Sequence, residues 1–279
     1  MGNDEGSISV EVRDHILLIG LNRPEKYNGY TPKMSAELVS AYTRLDEDDD
    51  LRVGVLFGHG DHFTAGLDLP KWTERMERVN RSKSQENPKI DPFGFGRSCR
   101  KPIVTAVQGI TYTFGIEVAL AGDIIIAADN CRFSQLEPAR GIHATGGATF
   151  RFIERGGWGN AMYHLLTCDE FDATEALRVG IVQEVVPVGQ QLERAIEIAQ
   201  RISDMAPLAI QETKASARRW LHEGSEACIE ALAPTQAKLM ATEDAKEGVA
   251  SFIERRSACL LYTSPSPRDV EESRMPSSA

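Results

Sequence analysis

Four short stretches of the 279-residue chain are apolar almost throughout: "HILLIGL" at 15–21, "VGVLF" at 53–57, "PIVTAVQ" at 102–108 and "DIIIAAD" at 123–129. Runs this short, bounded by Gly, Pro and Asp, read as buried strands. Helical patterns lie between them. In "PKMSAELVSAYTRLDE" (32–47) Met34, Leu38, Tyr42 and Leu45 recur at helical spacing, and "TFGIEVALAG" (113–122) is helical in tendency. A strand–helix–strand order that repeats predicts an α/β fold with helices packed on a sheet. A further strand is expected at 8–12, before the first of these. From 147 onward only "IVQEVVP" (181–187) reads as a strand. Helices are expected over 158–167, 173–178, 189–204, 208–221, 224–240 and 243–256. This divides the chain into an α/β core (1–200), a helical C-terminal segment (201–257) and a tail (258–279). Ser, Pro and charge dominate the tail "CLLYTSPSPRDVEESRMPSSA". We expect it to be disordered and foreign to what precedes it, as a frameshift or appended sequence would be.

Charge and composition remove several classes of function. Lys and Arg number 31 against 41 Asp and Glu, a net charge of −10. An acidic chain is a poor electrostatic partner for nucleic acid, so none is expected. No apolar run reaches the roughly 20 residues of a membrane span, and the start "MGNDEGSISVEV" has no leader pattern. The five cysteines are scattered without CxxC spacing and read as reduced thiols of a cytoplasmic protein. The six histidines do not cluster with them, and His59 and His62 fall in a Gly/Asp turn. No metal site is expected. The acidic run "DEDDD" (46–50) reads as a solvated helix end.

Two glycine turns each follow a strand and enter a helix-like stretch: "FTAGLDL" (63–69) and "QGITYTFG" (108–115). Free N–H groups at such turns attract negative charge, and two facing turns could hold one oxyanion. Each could equally be a plain strand-to-helix turn. Glu117 stands among small and apolar residues, where an unpaired carboxylate costs several kcal/mol. It could serve as a helix-dipole partner, sit in a buried ion pair, or act in chemistry. Glu137, in "FSQLEPARG", reads alone as an ordinary loop glutamate, with Pro138 disfavouring helix there. Two carboxylates beside one oxyanion hole would form a general acid/base pair, but spacing cannot show that they meet. "GIHATGGATFRF" (141–152) lacks the dinucleotide fingerprint and the P-loop lysine. His143 there reads as a structural or pocket-lining residue.

Taken in order, "LNRPEKYNGYTPKM", "HFTAGLDL", "KPIVTAVQGITYTFGIEVALAGDIIIAAD", "FSQLEPARGIHATGGAT" and "LLTCDEFDATEALRVGIVQEVVP" resemble the crotonase superfamily, the enoyl-CoA hydratase/isomerase family. The resemblance covers about residues 8 to 257. It implies a spiral of ββα units followed by helices that assemble homotrimers or dimers of trimers. It also implies an acyl-CoA thioester substrate, with coenzyme A as part of the substrate and no separate cofactor. Position by position, the oxyanion hole falls on the backbone N–H groups of Leu67 and Phe114. The loop around Asn28, the segment Ala65, Gly66 and Asp68, and Gly115 fall on the CoA and substrate path. Phe252 and Arg255 match positions that contact CoA from a neighbouring subunit.

Glu117 and Glu137 fall on the family's two hydratase glutamates. The resemblance implies that Glu117 activates water for attack at C3, Glu137 delivers a proton to C2, and the hole holds the thioester enolate. The expected activity is enoyl-CoA hydration, a carbon–oxygen lyase reaction. Alternatives are isomerisation of the double bond on the same scaffold, and a non-catalytic CoA- or RNA-binding protein. Two departures bear on the acyl pocket. The usual triple glycine is "TFG" (113–115), and the usual Pro and Gly after Glu137 are Ala144 and Thr145.

Overall fold

A computed structural model describes residues 5–73 and 89–260. The sequence readings on 74–88 and on the tail from 261 lie outside the described residues. Two compact units divide at Gln200 and Arg201.

The first unit carries both sheets. The larger has six strands, β1 (Ser7–Arg13), β2 (Ile16–Asn22), β3 (Val53–Gly58), β4 (Ile103–Val107), β6 (Ile124–Ala128) and β9 (Glu184–Val186), adjacent in that order. β1 and β2 form an antiparallel hairpin, and every later pairing is parallel. Central parallel strands are covered on both faces, which is why β2 to β4 are buried almost end to end and read as unbroken apolar runs. The smaller sheet joins β5 (Ile110–Tyr112), β7 (Arg132–Ser134) and β8 (Phe171–Asp172).

Helices fill the connections. α1 (Pro32–Glu47) has Pro32 in its first turn, and the Thr31 hydroxyl caps it by accepting from Met34 N–H at 3.2 Å. Its buried face carries the expected Met34, Leu38, Tyr42 and Leu45. α2 (Phe114–Ala121) is so apolar because all but its last residue is buried. α3 (Ala148–Thr167) is longer than expected, starting well before 158 and breaking its helical geometry only at Gly157. α4 (Ala173–Arg178) and α5 (Gln191–Ser203) follow.

The second unit holds α6 (Pro207–Met240) and α7 (Glu243–Glu254). The two helices expected at 208–221 and 224–240 are one element broken at Gly224, where φ is +84°. Among the described residues no helix is long and apolar enough to cross a membrane.

The acidic run at 46–50 closes α1 with Glu47, Asp49 and Asp50 exposed, as read, but Asp46 departs from that reading. Asp46 is not solvated but buried. Its carboxylate accepts from the Arg100 backbone N–H at 2.7 Å and from the Arg97 and Arg100 guanidinium groups at 3.1–3.3 Å. Both arginines lie past the segment that follows β3, so the contact ties that crossover to the end of α1. Asp46→Ala leaves the Arg100 N–H without its acceptor and is expected to cost about 1–3 kcal/mol. Urea unfolding measures this; a loss below about 0.5 kcal/mol would contradict the anchoring role.

Candidate active site

Asn28 builds the first turn. It is fully buried, its side-chain oxygen accepting from Arg23 N–H at 2.7 Å and its amide donating to the His59 and His62 carbonyls at 2.8 Å each. Thr64 continues the tie, donating its hydroxyl to the Asn28 carbonyl at 2.7 Å. The N–H groups of the turn are then spent one by one. Thr64 donates to Ile110, Ala65 to Tyr27, Gly66 to the Thr64 hydroxyl, and Asp68 to Tyr30. The remaining one, Leu67 N–H, meets no acceptor among the described residues.

The second turn leaves a matching donor. Thr113 N–H goes to the Ser134 carbonyl, and Glu117 N–H closes the first turn of α2 onto Thr113. Phe114, the first residue of α2, has an N–H with no acceptor among the described residues. Thr113 sits at φ +48°, a costly conformation for a β-branched residue, immediately before that donor. The two turns are in contact. Gly66 (φ +102°) lies so close to Thr113 that a Cβ would fall 2.1 Å from its hydroxyl, and a Cβ on Gly115 would fall 2.6 Å from Thr64 Cγ2. At both points a threonine side chain of the other turn occupies the space a Cβ would need.

Glu117 projects from α2 to the start of α3. It is 5% exposed. One carboxylate oxygen accepts from Gly146 N–H at 2.6 Å and Ala148 N–H at 3.3 Å. The positive end of the α3 dipole favours an anion there. Burial pushes the Glu117 carboxyl above its ordinary value, while the two N–H groups and the charges of Arg151 and His143 pull it back. Glu117 thus lies in the first turn of its own helix and also reaches the N-terminus of α3.

Glu137 follows β7 and is 8% exposed, so it is not an ordinary exposed loop glutamate. Its backbone is in the right-handed helical region despite Pro138, a second correction. The local driving force is a turn in which Arg140 N–H and Ile142 N–H both reach the Glu137 carbonyl. One carboxyl oxygen accepts from the Gln135 amide at 3.0 Å; the other, Oε2, is buried without a partner among the described residues. Burial pushes this carboxyl up to about 7, and the charge of Glu117 pushes in the same direction. The two glutamates therefore feel one another. Their surroundings differ, with two backbone donors of α3 and nearby cations around Glu117, and its own backbone N–H and the Gln135 amide on Glu137. Such a contrast separates an acid from a base.

The other predicted site residues are placed as follows. Ala65 and Leu67 are exposed on the first turn, and Asp68 is held by Arg23 at 2.8 Å. Phe114 is buried, its ring stacked on Tyr30 with centroids 3.8 Å apart. Gly115 is buried at the start of α2. His143 is exposed. Phe252 and Arg255 belong to the second unit and are both exposed, Arg255 ending α7 at φ +55°. Sequence reasoning missed Gln135, two residues from Glu137, and the Gly146 and Ala148 donors. The doubled glycine in "ATGGAT" was a usable signal. A Cβ at Gly146 would fall 2.6 Å from the Glu117 carboxylate, so only glycine fits.

Fold and site together define a crotonase-like α/β protein with a paired-carboxylate centre. A probable enoyl-CoA hydratase/isomerase from Mycobacterium abscessus superposes with a TM-score of 0.88 at 44% identity, covering 93% of this chain and all of that one. An enoyl-CoA hydratase from Mycobacterium tuberculosis superposes at 0.82 and 33% identity, covering 92% and 99%. The mevalonyl-coenzyme A hydratase sidH of Aspergillus fumigatus is 36% identical over 251 residues, which are 87% of this chain and 90% of that protein. The profile described as enoyl-CoA hydratase/isomerase matches residues 11–260. The chain belongs to the enoyl-CoA hydratase/isomerase family.

The raised Glu137 carboxyl has a consequence for stability. A carboxyl that titrates higher in the folded state than in the unfolded one adds stability below its unfolded value, and this is lost as pH rises through the folded value. Glu137→Gln keeps the Gln135 contact and removes the buried charge. Relative to wild type it is expected to gain up to about 3 kcal/mol between pH 5 and pH 8. Urea unfolding at the two pH values checks this; an identical pH response in both proteins would contradict it.

Proposed function

We propose that the chain hydrates a 2-enoyl-CoA thioester, with Glu117 and Glu137 as the acid/base pair. The observation that carries this reading is the buried Oε2 of Glu137, without a partner among the described residues, together with a second buried carboxyl anchored by backbone donors. The relatives named as hydratases of several CoA thioesters support the same class.

In this scheme the thioester carbonyl accepts from Leu67 N–H and Phe114 N–H. These donors stabilise the oxyanion most when charge builds on it. Water lies between the glutamates. Its oxygen attacks C3 while one of its protons passes to the Glu117 carboxylate, whose anionic form the Gly146 and Ala148 donors favour. The electron pair of the double bond moves to C2 and the thioester oxygen. Glu137, held neutral up to about pH 7, gives its Oε2 proton to C2. Return of one proton from Glu117 to Glu137 restores the pair. The reaction so written calls for no cofactor beyond the coenzyme A of the substrate. The same proposal includes a cytoplasmic location. It also includes trimeric assembly through the second unit, where Trp220, Ile229 and Leu232 line an exposed groove of about 570 Å³.

Glu117→Gln and Glu137→Gln are each expected to lower kcat for hydration about 10²–10⁴-fold, with binding of a saturated acyl-CoA retained. Loss of absorbance of the conjugated thioester reads the rate, and full activity in either variant would overturn the assignment. Wild-type activity should fall as pH rises past about 7, because the proton donor is then ionised. Isomerisation of a 3-enoyl-CoA with no hydration of a 2-enoyl-CoA would favour the isomerase instead.

A further inference from the structure

We infer that an aromatic plug of Phe114, Tyr30 and Phe93 closes this site behind the reacting carbons, so that it takes short 2-enoyl thioesters and rejects long straight ones. The inference rests on the hydration reading above and deepens it. Phe114 carries both a proposed oxyanion donor and a large ring, the ring beginning three bonds from the donor nitrogen. That ring is 2% exposed. Its face lies on Tyr30 at a centroid separation of 3.8 Å and an angle of 17°. Slipping an acyl chain between two faces needs about 7 Å, twice an ordinary carbon–carbon contact. The pair is therefore a wall and not a slot.

Phe93 extends the wall to the carboxylate. Its ring meets Phe114 edge-on, with centroids 5.8 Å apart at 85°. A Cβ placed on Gly146 would meet Phe93 Cε1 and Glu117 Oε2 at 2.6 Å each, so ring and carboxylate together fill the space beside this glycine. The rings thus run from Phe114, which bears the proposed oxyanion donor, to the glycine that donates to the proposed base. The wall is also fixed. Arg151 donates to the Phe93 carbonyl and, at 2.9 Å, to the Gly146 carbonyl, and Asp91 accepts from Phe93 N–H at 2.9 Å. Yielding to a longer chain would break these contacts.

The test compares kcat/KM for but-2-enoyl-CoA and dec-2-enoyl-CoA in wild type, Phe93→Ala and Phe114→Leu. Phe93 is half-buried, so its truncation spares the fold if the change at Phe114 does not. Wild type should favour the four-carbon substrate by about 100-fold or more, since each misfitting methylene can cost 10-fold or more. Phe93→Ala should raise the ten-to-four-carbon ratio about 10-fold. Wild type that accepts both equally, or a ratio unmoved in both variants while four-carbon hydration persists, overturns the plug and leaves the hydration reading standing. If wild type hydrates neither, that reading falls, and calorimetry with butanoyl-CoA and decanoyl-CoA still decides the plug. Butanoyl-CoA bound at least as tightly supports it; decanoyl-CoA bound more tightly overturns it.

Discussion

The centre of the molecule depends on a buried carboxylate meeting the start of a helix. Glu117 is too deeply buried to be ionised without partners, and Gly146 and Ala148 provide them at the N-terminus of α3. That contact fixes α2 against α3. It requires glycine at 146, orients the first turn of α2 with its Phe114 N–H, which has no acceptor among the described residues, and places a negative charge where Glu137 can sense it. An apolar residue at 117 would suit the surrounding core and would remove all of these at once. The cost of burying the charge is offset by the very contacts that aim it.

In the proposed reaction the two glutamates would divide their roles through surroundings and not through type. Both are pushed up by burial. Glu117 is drawn back by backbone donors and nearby cations, whereas Glu137 has its own backbone N–H, one amide and the repulsion of its neighbour. A pair of like charges in one enclosed space resists double ionisation, so one member keeps its proton near neutrality. Oε2 of Glu137, unpartnered among the described residues, is the place from which that proton would leave.

Much of this was legible in the sequence, for identifiable reasons. The parallel strands were visible because burial on both faces makes them continuous apolar runs, and Met34, Leu38, Tyr42 and Leu45 were visible because one helix face repeats at a fixed spacing. Glu117 stood out because it is a carboxylate in an apolar stretch. Glu137 did not stand out from the residues alone, and only the family pattern marked it. Asp46 was misread because an acidic run resembles solvated surface, while its partners Arg97 and Arg100 arrive some fifty residues later. Gln135 and Gly146 were missed for the same reason. Their importance lies in contacts made through space, and nothing in their own local sequence states them.

The most direct measurement of the central claim is a titration of the two carboxyls by carbon NMR on protein labelled at the glutamate side-chain carboxyl carbon, with Glu117→Gln and Glu137→Gln variants for assignment. The account predicts that Glu137 titrates near 7 in wild type and moves down when Glu117 is made neutral. A Glu137 carboxyl that titrates in the ordinary glutamate range, and does not respond to the change at 117, would contradict it.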